Sequence, residues 1–175
     1  MSKLVCIGEG EVIVSKDGTK STCESLKGKI IGLYFSAHWC PPCRGFTPVL
    51  AKKYDEIITA GGNFEIVFVS SDQDETACTE YFNEMPWKLL DFAYRDIKQK
   101  LSTEFSINGI PSLILLDEEG NLLTSDGRSA IMSCEFNQLK TYEADKLAKQ
   151  LENDILIEKI PLIENSVESF CLISL

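Results

Sequence analysis

Two cysteines separated by two prolines carry the clearest chemical signal in the sequence. Cys40 and Cys43 lie within residues 37–44, which read AHWCPPCR. Two cysteines at this spacing can close a small disulfide ring and reopen it, because a thiolate exchanges readily with a disulfide. The pattern therefore predicts thiol–disulfide exchange, in which Cys40 attacks a disulfide and Cys43 resolves the mixed disulfide that forms.

The cysteine pair lies where a predicted strand passes into a predicted helix. Residues 29–36 form a nearly continuous apolar run, which is typical of a strand buried on both faces. Apolar residues at helical spacing then run from Cys43 to about Ala60. The first turn of a helix carries partial positive charge and unpaired N–H groups, so we expect a lowered pKa for the Cys40 thiol. Cys43, one turn further along, should be more covered than Cys40.

The other predicted elements complete an α/β pattern. They are a β-hairpin from 4–7 and 12–14, a buried strand at 64–69, a helix at about 74–84 capped by Ser71-Asp72, a helix at about 97–105, an antiparallel strand pair at 112–116 and 122–124, and a helix at about 143–155. This order predicts a three-layer α/β domain, with a central mixed β-sheet flanked by helices and an N-terminal β-hairpin. We expect residues 1–155 to form one domain and residues 156–175 a tail.

Composition narrows the class of protein and its partners. The chain has 175 residues, of which 44% are hydrophobic and 25% charged, as in ordinary globular domains. Its net charge of −10 makes nucleic acids and anionic membranes poor partners. The sequence has no apolar run of the roughly 20 residues that span a membrane, and no apolar run of signal-peptide length near residue 1. We therefore expect a cytoplasmic protein.

Two other interpretations of the cysteine pair are less favourable. A zinc site needs two further ligands, but His38 is the sole histidine and no second cysteine pair has ligand spacing, so we expect no metal. A pair of inert core thiols fits poorly with a strand-to-helix junction. Cys6, Cys23, Cys78 and Cys134 are interpreted as reduced structural thiols, and the sequence assigns no role to Cys171.

Several residues expected near the cysteines each have two possible interpretations. Trp39 either offers an exposed apolar contact beside the thiols, which we favour, or covers the core. Arg44 either supports the thiolate or pairs with a surface acid. His38 is interpreted as a solvated loop residue rather than as a group that tunes Cys40. Pro111 either starts a strand or forms a cis peptide bond that presents the Ile110 backbone to a substrate strand.

A longer stretch of sequence resembles a known family. Residues 34–48, which read YFSAHWCPPCRGFTP, resemble the active-site segment of tryparedoxins and nucleoredoxins, a branch of the thioredoxin superfamily. The resemblance continues in residues 63–72, 81–82, 85–87 and 105–113. It implies a thioredoxin-like fold and protein-disulfide reductase activity.

The resemblance also implies roles for individual residues. Cys40 is the nucleophile, Cys43 is the resolving cysteine, and Pro111 is a cis proline that lies against the disulfide. Tyr34 stands where ordinary thioredoxins keep a buried aspartate. The residues expected to bind substrate or support the site are Trp39, Pro41, Pro42, Arg44, Ile110 and Pro111.

The resemblance implies partners and leaves the electron donor open. Disulfide-containing proteins, such as peroxiredoxins, are the expected acceptors, and a low-molecular-weight thiol or a reductase is the expected donor, with no cofactor in this chain. The resemblance adds the nucleus to the cytoplasm as a location. Ser71 replaces a frequent tryptophan and His38 a usual serine. An alternative function is a redox-gated binding module for signalling proteins, suggested by the acidic and partly apolar residues 161–175.

Overall fold

The computed structural model describes residues 10–133 and 135–152. Eleven strands and helices are labelled here in chain order. They are β1 (Ile13–Val14), β2 (Lys20–Ser21), β3 (Ile30–Ser36), α1 (Pro41–Thr59), β4 (Phe64–Ser70), α2 (Glu75–Asn83), β5 (Lys88–Leu90), α3 (Arg95–Glu104), β6 (Ser112–Leu116), β7 (Leu122–Thr124) and α4 (Gly127–Ser133). Short 3-10 helices span Cys23–Leu26 and Phe136–Thr141, and residues 142–152 are helical.

The strands form one mixed sheet in the order β2-β1-β5-β4-β3-β6-β7. The pairs β3–β4 and β4–β5 are parallel, and the other neighbouring pairs are antiparallel. Helix α1 connects β3 to β4, and α2 connects β4 to β5, as parallel neighbours require. The predicted fold class, a central mixed sheet flanked by helices, is confirmed.

The two central strands carry the core. Every residue of β3 and of β4 is buried, which explains why both segments are apolar without alternation. Side chains from β3 and β4 pack with residues of α3 and β6 in the main apolar cluster. Because β3 is held on both edges, by β4 and β6, its carboxyl end is a rigid platform for the residues that follow Ser36.

Three predictions about element boundaries are corrected. The strand at 13–14 pairs with Lys20–Ser21, around a turn in which Gly18 has a φ of 81°; the partner predicted at 4–7 lies outside the described residues. Helix α1 begins at Pro41 rather than at Cys43, because the first helical positions need no backbone N–H. The side chain that caps α2 belongs to Asp74, which accepts a hydrogen bond from Ala77 N, and not to Ser71 or Asp72.

Besides β2, the sequence prediction lacks strand β5 and helix α4. Strand β5 has three residues and pairs with both β4 and β1. Helix α4 has seven residues and packs on β6. Both are short and depend on neighbouring elements, so neither leaves a periodic pattern in the sequence.

Contacts divide the chain into two compact units, Met1–Lys140 and Thr141–Leu175. Of the second unit, the structure describes residues 141–152, so the predicted domain boundary at residue 155 stays a prediction. Among the residues described, no helix has the length and apolar character needed to cross a bilayer.

Candidate active site

The turn after β3 places the cysteine pair at the start of α1. Cys40 N donates a hydrogen bond to Ala37 O across 3.2 Å, which closes a tight turn between strand and helix. Cys40 occupies the N-cap position, and Pro41 and Pro42 fill the first helical positions. Because proline has no N–H to satisfy there and its φ already suits a helix, this sequence fixes the helix start next to Cys40.

Cys40 and Cys43 are joined by a disulfide, with their Cα atoms 5.2 Å apart. The exposed fraction is 4% for Cys40 and 0% for Cys43, which is the order that the sequence predicts. Both sulfurs lie in the first turn of α1, where the helix dipole and unpaired N–H groups favour negative charge. The arrangement suits a dithiol that opens and closes, with Cys40 on the outer side.

Ile110 and Pro111 face the disulfide from the loop before β6. Their peptide bond is cis, and Pro111 also directly precedes β6, so both structural features predicted for Pro111 are present. The carbonyl oxygen of Ile110 lies 3.9 Å from Cys40 Sγ, and Ile110 packs against Ala37 and both cysteines. A short backbone segment therefore lies directly beside the outer sulfur.

The loop between β4 and α2 holds the turn that precedes Cys40. Asp72, of which 5% is exposed, accepts hydrogen bonds from His38 N and from Ser70 Oγ, each over 2.8 Å. The indole N–H of Trp39 donates to Ser71 O over 3.2 Å. Sequence reasoning assigned Asp72 to a helix cap and missed this role, which joins residues 34 positions apart.

Trp39 and Arg44 lie on the open side of the site. Trp39 is 60% exposed, so it does not cover the core. Arg44 is exposed. The two share a groove of about 370 Å³ with five further residues, namely His38, Asp72, Gln73, Asp74 and Ala77.

A cluster of buried hydroxyls lies behind Cys43. Thr47 Oγ1 donates to Cys43 O over 3.1 Å, which leaves its lone pairs to accept from Tyr34 Oη at 2.9 Å and from Tyr81 Oη at 2.5 Å. Burial raises the pKa of Tyr34 well above its ordinary value. Tyr34 is therefore neutral at physiological pH.

Arg128 is a further site residue that the sequence analysis did not single out. Its Nη1 donates to Pro111 O over 3.3 Å, and its guanidinium lies 4.9 Å from the centre of the Phe46 ring. It thus ties α4 to the Pro111 loop and to α1. The sequence gives no local signal for this role, because Arg128 stands 17 residues from Pro111.

The remaining cysteines within the described part of the chain carry buried thiols. Burial raises the pKa of Cys23, and it raises that of Cys78 to about 11. Cys6, Cys134 and Cys171 lie outside the described residues. Within the segments that the structure describes, no group of three metal-ligating side chains comes together.

These thiols should therefore differ sharply from Cys40 in reactivity. At pH 8 a thiol with a pKa of about 11 is ionised in about one molecule in a thousand. After reduction, brief treatment of the folded protein with iodoacetamide at pH 8 should label Cys40 and leave Cys78 unlabelled, as read by peptide mass spectrometry. The same treatment in urea should label both. Labelling of Cys78 in the folded protein as fast as Cys40 would contradict this expectation.

Comparison with known proteins places this fold and site in a family. Residues 28–122 match the family described as Thioredoxin-like. The chain is 42% identical over 123 residues to human nucleoredoxin, which covers 70% of this chain and 28% of that protein. It is 39% identical over 158 residues to the probable nucleoredoxin 3 of rice, covering 87% and 33%. The chain thus spans about a third of these nucleoredoxins.

Tryparedoxins match over most of their own length. Tryparedoxin of Trypanosoma brucei brucei is 41% identical over 121 residues, covering 69% of this chain and 83% of that protein. The solved tryparedoxin from Trypanosoma brucei superposes with a TM-score of 0.69 at 39% identity, covering 75% and 92%. A solved tryparedoxin II complexed with glutathionylspermidine has a TM-score of 0.66 at 31% identity, covering 73% and 88%.

A thioredoxin-like fold with a cysteine pair at the start of a helix defines an oxidoreductase of the thioredoxin class, and the chain belongs to that family. Within the family it belongs to the tryparedoxin and nucleoredoxin branch. The resemblance drawn from the sequence is therefore confirmed.

Proposed function

We propose that the chain is a protein-disulfide reductase in which Cys40 is the nucleophile and Cys43 the resolving cysteine. The observation that carries the proposal is the Cys40–Cys43 disulfide at the start of α1, beside the Ile110 carbonyl oxygen. Two sulfurs already within bonding distance supply both halves of an exchange reaction without a further group.

The first step forms a mixed disulfide. The Cys40 thiolate attacks one sulfur of a target disulfide, so a Cys40–target S–S bond forms while the target S–S bond breaks. The released target sulfur leaves as a thiolate and takes up a proton. The helix start lowers the free energy of the attacking thiolate, since partial positive charge faces it.

The second step releases the target. The Cys43 sulfur, after losing its proton, attacks Cys40 and reforms the internal disulfide, while the second target sulfur leaves as a thiol. The target gains two electrons and two protons, and the Cys40–Cys43 dithiol loses them. Two thiols from a donor must then reduce the internal disulfide, so each turnover consumes two donor thiols.

The surroundings of the pair suit a polypeptide target. The Ile110 backbone beside Cys40 can hydrogen bond to an extended target strand, and exposed Trp39 offers it a flat apolar contact. Pro41 and Pro42 fix the helix start, and Arg44 supplies positive charge near the thiolate. Pro111 holds the loop that carries Ile110. These roles are part of the proposal.

Partners and location complete the proposal. Tryparedoxin II has been solved with glutathionylspermidine, a fact about that protein. It supports a low-molecular-weight thiol as the donor here, with a reductase as the alternative donor and peroxiredoxin-type proteins as acceptors. The proposed location is the cytoplasm, with the nucleus added by likeness to nucleoredoxins. The alternative of a redox-gated binding module depends on residues 161–175, which lie outside the described residues.

Insulin reduction tests the proposal directly. With limiting dithiothreitol, the wild-type chain should shorten the time at which the insulin B chain precipitates, as followed by turbidity. The matched control is the double variant Cys40→Ser/Cys43→Ser, which should behave like dithiothreitol alone. The proposal fails if the wild-type chain gives no acceleration, or if the double variant accelerates as much as the wild type.

A further inference from the structure

The segment that follows β4 is joined to the active-site turn by hydrogen bonds. Ser71 N donates to Ser36 O over 2.8 Å. His38 N donates to Asp72 Oδ1 over 2.8 Å. The indole N–H of Trp39 donates to Ser71 O over 3.2 Å. The exposed indole is therefore held by a main-chain oxygen of this segment, so its position depends on how firmly the segment itself is fixed.

Buried side chains fix this segment from within. Ser70 Oγ donates to Asp72 Oδ2 over 2.8 Å and accepts from Asp72 N over 3.0 Å. Both residues are buried. A buried carboxylate needs hydrogen-bond donors and a compensating positive charge, because water no longer solvates it. Ser70 and the His38 N–H supply donors to Asp72, and a residue of α3 supplies the positive charge.

Arg95, the first residue of α3, reaches the end of β4. Its Nη2 donates to Ser70 O over 2.8 Å, and its guanidinium lies 4.3 Å from the centre of the Phe92 ring. Burial lowers the pKa of Arg95, and the charge of Asp72 partly offsets that effect. A positive charge is unfavourable in the first turn of a helix. Contact with the end of β4, rather than a preference of the helix, therefore accounts for an arginine at this position.

We infer that Arg95 is a positioning residue that holds the Trp39 indole in place for contact with polypeptide targets, acting through the end of β4. The inference rests on the proposed function, in which Trp39 contacts the target. The guanidinium fixes Ser70 O and compensates Asp72, and the same segment carries Ser71 O, to which the indole donates. A small disulfide needs no such contact, so the loss of Arg95 should affect polypeptide targets more than small disulfides.

The first experiment observes the indole groups by NMR. The chain has two tryptophans, so a nitrogen-15 correlation spectrum contains two indole N–H signals, and the one that disappears in Trp39→Phe belongs to Trp39. In Arg95→Met we expect this signal to move toward the position of free tryptophan, because the bond to Ser71 O weakens. The signal of Trp87, which is buried, should stay in place and report an intact core. An unmoved Trp39 signal in Arg95→Met would overturn the inference, whether or not the chain reduces insulin.

Two further variants of α3 separate positioning from a general effect of charge. Arg95→Lys keeps the positive charge and a donor, so it should restore most of the Trp39 shift. Lys100→Met removes a positive charge from the same helix at a side chain that is 68% exposed and pairs with Asp96, and it should leave the Trp39 signal as in the wild type. A displacement in either variant as large as that in Arg95→Met would contradict the inference.

The second experiment compares two oxidants of the prereduced chain, insulin and bis(2-hydroxyethyl) disulfide. Quenching with excess N-ethylmaleimide marks the thiols that remain, and intact mass then counts oxidised and reduced chains at each time. One intramolecular hydrogen bond changes an equilibrium by about two- to twelve-fold. The ratio of the insulin rate constant to that of the small disulfide should fall by about this factor in Arg95→Met and stay unchanged in Lys100→Met.

The outcomes distinguish the inference from the proposed function. The same ratio in Arg95→Met as in the wild type would refute the positioning role of Arg95. A wild-type chain that does not react with insulin would instead refute the proposed function, and the NMR signal of Trp39 would still decide whether Arg95 holds the indole.

Discussion

Replacing Cys40 by serine should abolish insulin reduction, leaving the rate of dithiothreitol alone. The substitution removes the outer sulfur, and with it the first bond of the exchange, while the serine hydroxyl stays protonated at neutral pH. Cys43 cannot take over the attack, because its side chain has no exposed surface. The measurement is the turbidity assay at equal protein concentration. Full reductase activity in Cys40→Ser would contradict the assignment of the nucleophile.

Cys43→Ser should fail in a different way. Cys40 still attacks the target, but no second sulfur of the pair releases it, so the mixed disulfide accumulates. Non-reducing electrophoresis and intact mass should show an adduct of the chain with its target in a one-to-one ratio, which disappears on reduction. Cys23→Ala, which removes a buried thiol away from the pair, is the matched control and should give wild-type turnover without an adduct. Wild-type turnover in Cys43→Ser would show that Cys43 does not resolve.

The central strands and the cysteine pair were predictable from sequence because local signals specify them. β3 and β4 are apolar at every position or nearly so, since both faces of each strand are covered. The CPPC stretch carries its own helix start, because two prolines suit the first helical positions. Strand β5 was missed because three residues are too few to show a period, and its position follows from pairing with β4 and β1.

The partners of the cysteine pair were harder to predict, because they come from distant parts of the chain. Asp72 reaches His38 across 34 positions, and Arg128 reaches Pro111 across 17. From the sequence alone, Asp72 is readily interpreted as a helix cap and Arg128 as a surface charge. Their contacts with His38 and Pro111 exist only because the fold brings distant segments together. The stacking of His38 on Tyr81 of α2 is a further contact of this kind, because no residue near His38 in the sequence indicates it.

The hydroxyl cluster behind Cys43 should make Thr47 one of the most sensitive buried positions. Thr47 is the shared acceptor of Tyr34 and Tyr81, and it donates to Cys43 O. Thr47→Val keeps the shape of the side chain but leaves two buried phenol groups without this partner. Tyr34 Oη then keeps only Cys43 O and Tyr81 Oη keeps only Ser36 Oγ, each at the longer distance of 3.4 Å. Since a buried polar group that loses its hydrogen bond costs about 1–3 kcal/mol, and these two groups keep a weaker one, we expect the free energy of unfolding to fall by about 2–4 kcal/mol. Urea unfolding of the oxidised chain measures it.

Thr47→Ser is the matched control, because it keeps the hydroxyl and loses one methyl group. We expect a loss of about 1 kcal/mol there, close to the value of a buried methyl. The difference between the two variants should be the same at pH 6 and pH 8. Burial raises the pKa of Tyr34, so the neutral phenol is the form that the folded state favours. Both pH values lie below the ordinary pKa of tyrosine, and stability falls only when the pH rises above that ordinary pKa. Equal losses in Thr47→Val and Thr47→Ser would mean that packing, rather than the hydrogen bonds to Tyr34 and Tyr81, makes Thr47 important.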